Sequence, residues 1–293
     1  MPTALPIAPL TLLVHPYQGL RPVQGGLKQV RAEGRGPGSA LVWQLADGIH
    51  EQHIPVVRDR PGGLALIVVL PPAPKLGTEP AIMRVVEASR PQAILPHHDN
   101  ALDDLAQVLS RPPEDLAAEV TEYVAWRGIS LDRETARLLR KTIALSADLR
   151  SISALSRGLY LSRRALGRRL LTRGLPVPSH WLQLGRLLRV TIRLQNSQES
   201  ILSIGYEVGY ADAFSLSNQM YRLTGFRPSE AREYLGWEWL LEAWLRTEAA
   251  QGGLSPEFAF ELLTGSAAPD GGRRSGKPLT KAPLRKPASL GAG

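Results

Sequence analysis

Residues 201–232, ILSIGYEVGYADAFSLSNQMYRLTGFRPSEAR, leave this chain few ways to fold. They divide into two short helical segments joined at Gly209-Tyr210, and they stop at Gly225 and Pro228. Residues 152–171, ISALSRGLYLSRRALGRRLL, repeat the layout upstream. Paired short helices around a glycine-type turn read as helix-turn-helix units, in which the second helix can enter a DNA major groove.

The charge follows the same boundaries. Net charge is zero over residues 1–150, +7 over 151–236, −4 over 237–265 and +5 over 266–293. Phosphate neutralisation needs such local clustering, and the basic excess falls on the paired helices. A solvated basic surface without a ligand would give the same totals, but not the repeated helix pairs. There is no cysteine, which excludes disulfides, thiolate metal sites and a cysteine nucleophile. The apolar run Leu64 to Leu70 is too short to span a bilayer, and the proline-broken N-terminus makes a poor signal peptide, so a cytoplasmic protein is expected, with no membrane partner.

The 293 residues suffice for two domains. Residues 9–15, 39–45, 63–70 and 92–96 are near-continuous apolar runs bounded by Pro, Asp or Gly, the pattern of strands covered on both faces. Helical patterns follow at 79–89 and 100–110, while Gly and Pro interrupt any helical pattern before residue 60. The expectation is an α/β domain with a mainly parallel sheet over 1–112. Everything after Pro113 reads as helix. A connecting helix is expected over 113–129, then an all-α domain over 130–250. That domain includes helices at 131–147 (cap Ser130 or Asp132), at 179–195 (cap Ser179) and a terminal Trp-rich helix at 236–249. The tail 265–293 has no core-forming residues and reads as disordered. It either adds nonspecific DNA affinity or only solubilises.

In the helix over 162–171, Leu166 and Leu170 share one face, and Arg164 and Arg168 fall on the other, with Arg163 and Arg169 flanking. An exposed Arg pair at this spacing can donate bidentate bonds to guanine O6 and N7. Surface ion pairing is the alternative, but no acid lies between Arg150 and Glu199. In the helix over 212–223, Leu216, Met220 and Leu223 form the core face. Ser215, Ser217 and Asn218 can bond base edges, Ala213 can touch a thymine methyl, and Phe214 either does the same or is buried. Arg157, Arg163, Arg169 and Arg222 are candidates for backbone phosphates.

On these residues the chain resembles the DNA-binding domain of the AraC/XylS family of bacterial transcription regulators over 130–236. The resemblance rests on Leu155, Ser162, Leu166, Arg168 and Leu170, on Trp181-Leu182, Arg186-Leu187 and Leu194, and on Ile201, Ile204, Gly209-Tyr210, Asp212, Leu216, Ser217, Met220, Gly225 and Pro228. It implies a seven-helix domain with recognition helices in successive major grooves. By position, Arg164, Gly167 and Arg168 face bases in the first unit, and Ala213, Phe214, Ser215, Ser217 and Asn218 in the second. Double-stranded DNA is the implied partner; RNA polymerase and a second copy through the N-terminal domain are further candidates. Three departures stand out. Gly167 offers no side chain, Gly205 replaces a packed alanine, and Asn218 replaces an arginine, so the first unit is expected to dominate affinity.

Residues 1–112 do not resemble the family's usual all-β cupin-like arm. Their pattern is closer to a response-regulator receiver, but the first strand runs into His15-Pro16 and the clearest into Leu70-Pro71, so no Asp stands where phosphoryl transfer needs one. The expected role is dimerisation or protein contact. His97-His98-Asp99, His15 and His50-x-x-His53 read as polar turns in preference to metal sites, which would need partners brought from elsewhere. Residues 25–38 are glycine-rich without a phosphate-binding motif. No catalytic residue, cofactor or metal is expected. The competing readings are an α/β enzyme fused to a DNA-binding domain and a protein that binds DNA by charge alone.

Overall fold

The computed structural model describes residues 8–45, 51–71, 79–96 and 102–264. The His97-His98-Asp99 cluster, Asp47, His50 and the tail from Gly265 lie outside them.

The N-terminal unit is built on a five-stranded sheet: β1 (Leu10–Leu13), β2 (Leu20–Pro22), β3 (Ala40–Gln44), β4 (Ala65–Val69) and β5 (Ala93–Leu95), in the order β2-β1-β3-β4-β5. β3, β4 and β5 run parallel, whereas β1 is antiparallel to both of its neighbours. The expected mainly parallel sheet is therefore mixed. Its strand order is that of a receiver-type sheet, but the direction of β1 is not. The chain turns back directly after β1 through His15-Pro16-Tyr17, where Tyr17 N–H donates to Val14 O (2.8 Å) and Tyr17 takes φ 62°. Without a crossover helix the next strand can only pair antiparallel. The short β2 was not legible, because LRP has no strand-like run.

Both sheet faces are covered, as the continuous apolar runs predict. Leu41, Trp43, Leu66 and Val68 pack under α1 (Gly26–Glu33), α2 (Ile54–Arg58) and α3 (Glu79–Ser89). Ala40, Val42, Ile67 and Val69 face the other way, onto Leu105 and Leu109 of α4 (Leu102–Ser110) and onto Leu235 of the helical unit. α1 and α2 form despite the glycines and prolines: Gly26 (φ 57°) starts α1, and Pro55 sits in the first turn of α2, where its missing N–H costs nothing. Asp59, which ends α2, pairs with Arg58 at 2.7 Å.

The helical unit comprises α5 (Leu116–Trp126), α6 (Arg133–Leu145), α7 (Ile152–Gly158), α8 (Arg163–Leu171), α9 (Pro178–Asn196), α10 (Ile201–Glu207), α11 (Ala213–Thr224), α12 (Pro228–Glu233), α13 (Glu238–Ala250) and α14 (Pro256–Thr264). One apolar core runs from Ala117 to Leu262, so α5 and α13 share it with the paired helices. The three tryptophans of the terminal segment, Trp237, Trp239 and Trp244, are buried, and Trp244 packs edge-on against Trp181 at 4.6 Å. These side chains belong to the core. α6 is capped by Asp132, which accepts from Thr135 N–H at 2.8 Å. α9 is capped not by Ser179 but at Val177, with Pro178 as its first residue: proline's fixed φ suits that position. α14 is an addition that the sequence pattern did not reveal.

Buried polar groups join the two units. Glu242 of α13 accepts from Tyr123 Oη (2.9 Å) and from Arg127 Nε and Nη2 (3.0 and 3.1 Å). Tyr123 Oη in turn accepts from Gly63 N–H of the α/β unit (2.7 Å), and burial, reinforced by the Glu242 carboxylate, pushes the phenol well above its usual pKa. Arg90 pairs with Glu238 and, at 3.1 Å, with Glu119. Arg60 is buried, donates to four backbone carbonyls and stacks on Trp126 at 4.4 Å; desolvation lowers its pKa to about 10.

Candidate nucleic-acid interface

The two helix pairs α7–α8 and α10–α11 are built on one local plan. In each, the first helix is capped by a serine: Ser151 accepts from Ala154 N–H (3.2 Å) and Ser200 from Ser203 N–H (3.0 Å). Each first helix ends with a left-handed residue, Tyr160 (φ 56°) or Gly209 (φ 82°). The following amides close the same bonds back across the turn, Leu161 N–H to Ser156 O (3.0 Å) and Tyr210 N–H to Gly205 O (2.8 Å). This is the αL helix stop that satisfies the orphan carbonyls. Each second helix then starts at a new cap: Ser162 accepts from Ala165 N–H (3.1 Å), and Asp212 from Ser215 N–H (2.6 Å). Cap, stop and cap again within twenty residues dictate two short helices at an angle.

α9 holds the pairs in register. Arg186, buried in that helix, donates to Val208 O (3.1 Å) and lies over the Tyr210 ring at 4.3 Å. Burial raises the Tyr210 pKa to about 12. Arg150 packs against Gly209: a Cβ added there would lie 2.0 Å from Arg150 Nε, so this turn needs glycine for space as well as for φ. One turn further along α9, Arg189 donates to Ser146 Oγ (2.6 Å) and to the Ile143 carbonyl of α6 (3.0 Å).

The outer face of α8 is cationic. Leu166 and Leu170 are fully buried, as their spacing predicts, and Arg163, Arg164 and Arg168 are exposed. No hydrogen bond or ion pair holds these three arginines among the described residues. Arg157 of α7 is also exposed. Arg169 differs: it pairs with Glu134 of α6 at 2.8 Å, and Arg173 pairs with Asp132 at 2.6 Å. The absence of acids in the local sequence therefore did not leave Arg169 without a partner; tertiary packing supplied one from α6. Gly167 lies between Arg164 and Arg168, and a Cβ there would meet open space.

The outer face of α11 is less charged and more apolar. Leu216, Met220 and Leu223 are buried, and Phe214 is 74% exposed, which settles its two readings in favour of the surface. Asn218 and Arg222 are exposed, and Ala213 and Ser217 are half-buried. Ser215 is exposed, but its hydroxyl is turned to the Asp212 carboxylate (2.9 Å), so it completes the cap as well as facing out. Those bonds, first from the Ser215 amide and then from its hydroxyl, hold Asp212 below the usual carboxylate range. Gly205 is buried under α11, and an added Cβ would sit 3.5 Å from Leu216 Cδ2, in ordinary contact.

Sequence reasoning missed several surface groups. Arg227, exposed before α12, reaches Ser217 Oγ at 3.5 Å and lies over the Tyr221 ring at 5.0 Å. Tyr160 is 95% exposed at the first turn, and Tyr206 and Tyr221 are more than half exposed. No spacing signal marks an exposed tyrosine; only solvent accessibility separates it from a core one.

Residues 155–234 match a family model described as a helix-turn-helix domain. The match runs from within α7 through α12 and supports an AraC-type DNA-binding domain in this part of the chain, and with it a DNA-binding transcription regulator. No curated protein and no solved structure matches the chain significantly. Among the described residues, no helix is long and apolar enough to cross a membrane, and no group of three His, Cys, Asp or Glu could hold a metal ion.

Proposed function

We propose that the chain is a sequence-specific transcription regulator that catalyses no reaction and reads double-stranded DNA through α8 and α11, each in one of two successive major grooves. The observation that carries this reading is the outer face of α8. Arg163, Arg164 and Arg168 stand exposed without partners among the described residues, on a helix that is capped at Ser162 and locked below by Leu166 and Leu170. A guanidinium with no intramolecular partner breaks no protein bond when it binds a base edge or a phosphate, and gives up only hydration and side-chain freedom. In this reading Arg164 and Arg168 donate to guanine, Arg157, Arg163 and Arg222 bind phosphates, and Gly167 lets the helix backbone approach the groove. Arg169 must first leave Glu134, so its contribution is smaller. On α11, Phe214 and Ala213 meet thymine methyls and Asn218 pairs with adenine, whereas Ser215 and Ser217 contact the duplex through hydroxyls already committed to the cap and to Arg227.

Selection from a random duplex pool tests the proposal. The expected product is a bipartite motif whose halves lie about one helical turn, 10–10.5 base pairs, apart, with guanine in one half and A·T pairs in the other. An unenriched pool, with binding that only tracks salt, would overturn it and favour attraction by charge alone.

A further inference from the structure

A cleft of about 300 Å³ opens where the α/β unit meets the end of α11 and the outer side of α13. Its walls are apolar: Phe226, directly after α11, Trp239 and Ala243. Thr224, Thr247 and Glu242 are polar members of the lining, which also holds two cations, Arg35 and Arg246. The carboxylate of Glu242 is already answered, by Arg127 and by the Tyr123 hydroxyl. Arg246 has only a 3.5 Å approach to it, and its buried Nε makes no hydrogen bond. Arg35 is exposed and makes no hydrogen bond or ion pair among the described residues. The lining thus carries a net positive charge, spare guanidinium donors and an apolar wall, in a volume at the small end of ligand sites.

We propose that this cleft binds a small organic acid, one carboxylate on a compact apolar body, with the carboxylate between Arg35 and Arg246 and the body against Phe226 and Trp239. An acid seated there touches loops of the α/β unit, α13 and the residue that follows the αL stop of α11 at Gly225. Occupancy is thereby linked to the setting of α11, and this regulatory part rests on the DNA-reading role given to α11 above. The binding part does not.

Benzoate, hexanoate and inorganic phosphate, titrated into the full-length chain without DNA, test the binding part through the thermal midpoint and tryptophan fluorescence. The expected result is a saturable rise in midpoint with benzoate or hexanoate and a smaller response to phosphate. Arg35→Gln, on the exposed rim, should weaken the acid about tenfold or more, as loss of a charge-assisted hydrogen bond does. Ala243→Leu, which fills the cleft, should abolish the response. No saturable response to either acid, an equal response to phosphate, or unchanged binding in both variants overturns the site. DNA affinity measured with and without the acid tests the regulatory part: a change in the wild type that Ala243→Leu lacks supports it, and binding without any change refutes it. Failure of DNA selection leaves the acid titration intact, so the two proposals fail separately.

Discussion

Replacing Gly205 with alanine should make the protein more stable. Gly205 lies inside α10, is buried, and has no positive φ. The alanine methyl would meet Leu216 Cδ2 at 3.5 Å and Tyr210 Cβ at 3.8 Å, which are contacts rather than clashes. Two terms act in the same direction. Alanine in a helix interior is favoured over glycine by about 0.8–1 kcal/mol. Burying one methyl contributes up to about 0.8 kcal/mol more. The sum is roughly 1–2 kcal/mol, or a rise in thermal midpoint of about 2–8 °C at about 2–4 °C per kcal/mol for a unit of 150–250 residues. The assay is thermal unfolding followed by circular dichroism, with DNA affinity as a control that should not change, because the methyl points under α11 and away from its outer face. A fall in midpoint would show that α10 and α11 are already in closest approach, and would refute the packing argument. Gly209→Ala is the internal contrast. That residue has φ 82°, and Arg150 occupies the space, so a loss of at least about 1–3 kcal/mol is expected.

Arg168→Ala should weaken specific DNA binding by about 1–3 kcal/mol and relax preference at one base pair, with a smaller effect from Asn218→Ala; equal losses in a binding titration would contradict the dominance of α8. Arg169→Ala should weaken DNA binding less than Arg163→Ala, since Glu134 already neutralises it at 2.8 Å, and the slope of log affinity against log salt measures the difference. Glu242→Ala removes the acceptor of the buried Tyr123 hydroxyl and the ion pair to the half-buried Arg127, and should cost about 3–5 kcal/mol in denaturant unfolding; a loss below 1 kcal/mol, taken as about the value of an exposed pair, would contradict the buried network. Stability should also fall in acid. Asp212 and Asp132 are held low first by the amides they cap, and Asp115 first by Arg140 and then by the amide it caps. Their folded pKa values lie below the unfolded ones, so this stability is present above the unfolded value near about 4 and is lost as pH falls through the folded values. Asp212→Asn keeps a cap without the titration and should flatten that acid limb; an unchanged limb would refute the assignment.

Local grammar makes the helix pairs legible in the amino-acid sequence itself. Ser151, Ser162, Ser200 and Asp212 are caps, Gly209 and Gly225 are αL stops, and Leu166, Leu170, Leu216 and Met220 keep helical spacing. Every one of those signals acts within a few residues, which is the range over which a sequence pattern determines structure. The buried strands are readable for the same reason, since an apolar run such as Leu64 to Leu70 has nowhere to go but a covered sheet.

The remaining features arise between segments far apart in the chain, and only tertiary structure decided them. The direction of β1 depends on whether a helix or a tight turn follows it, and LRP at 20–22 carries too little β character to reveal its pairing. Arg169 looked free because its acid, Glu134, comes from another helix, and Phe214 could be assigned to the surface only once α11 had an inside. The cleft beside Glu242 exists only because loops near residues 35 and 63 close on α13, some two hundred residues away in the chain. Sequence alone determined the paired helices and the faces they bury; folding decided the irregular helices α1, α2 and α14 and which charges are left unpaired, because pairing depends on proximity in space rather than along the chain.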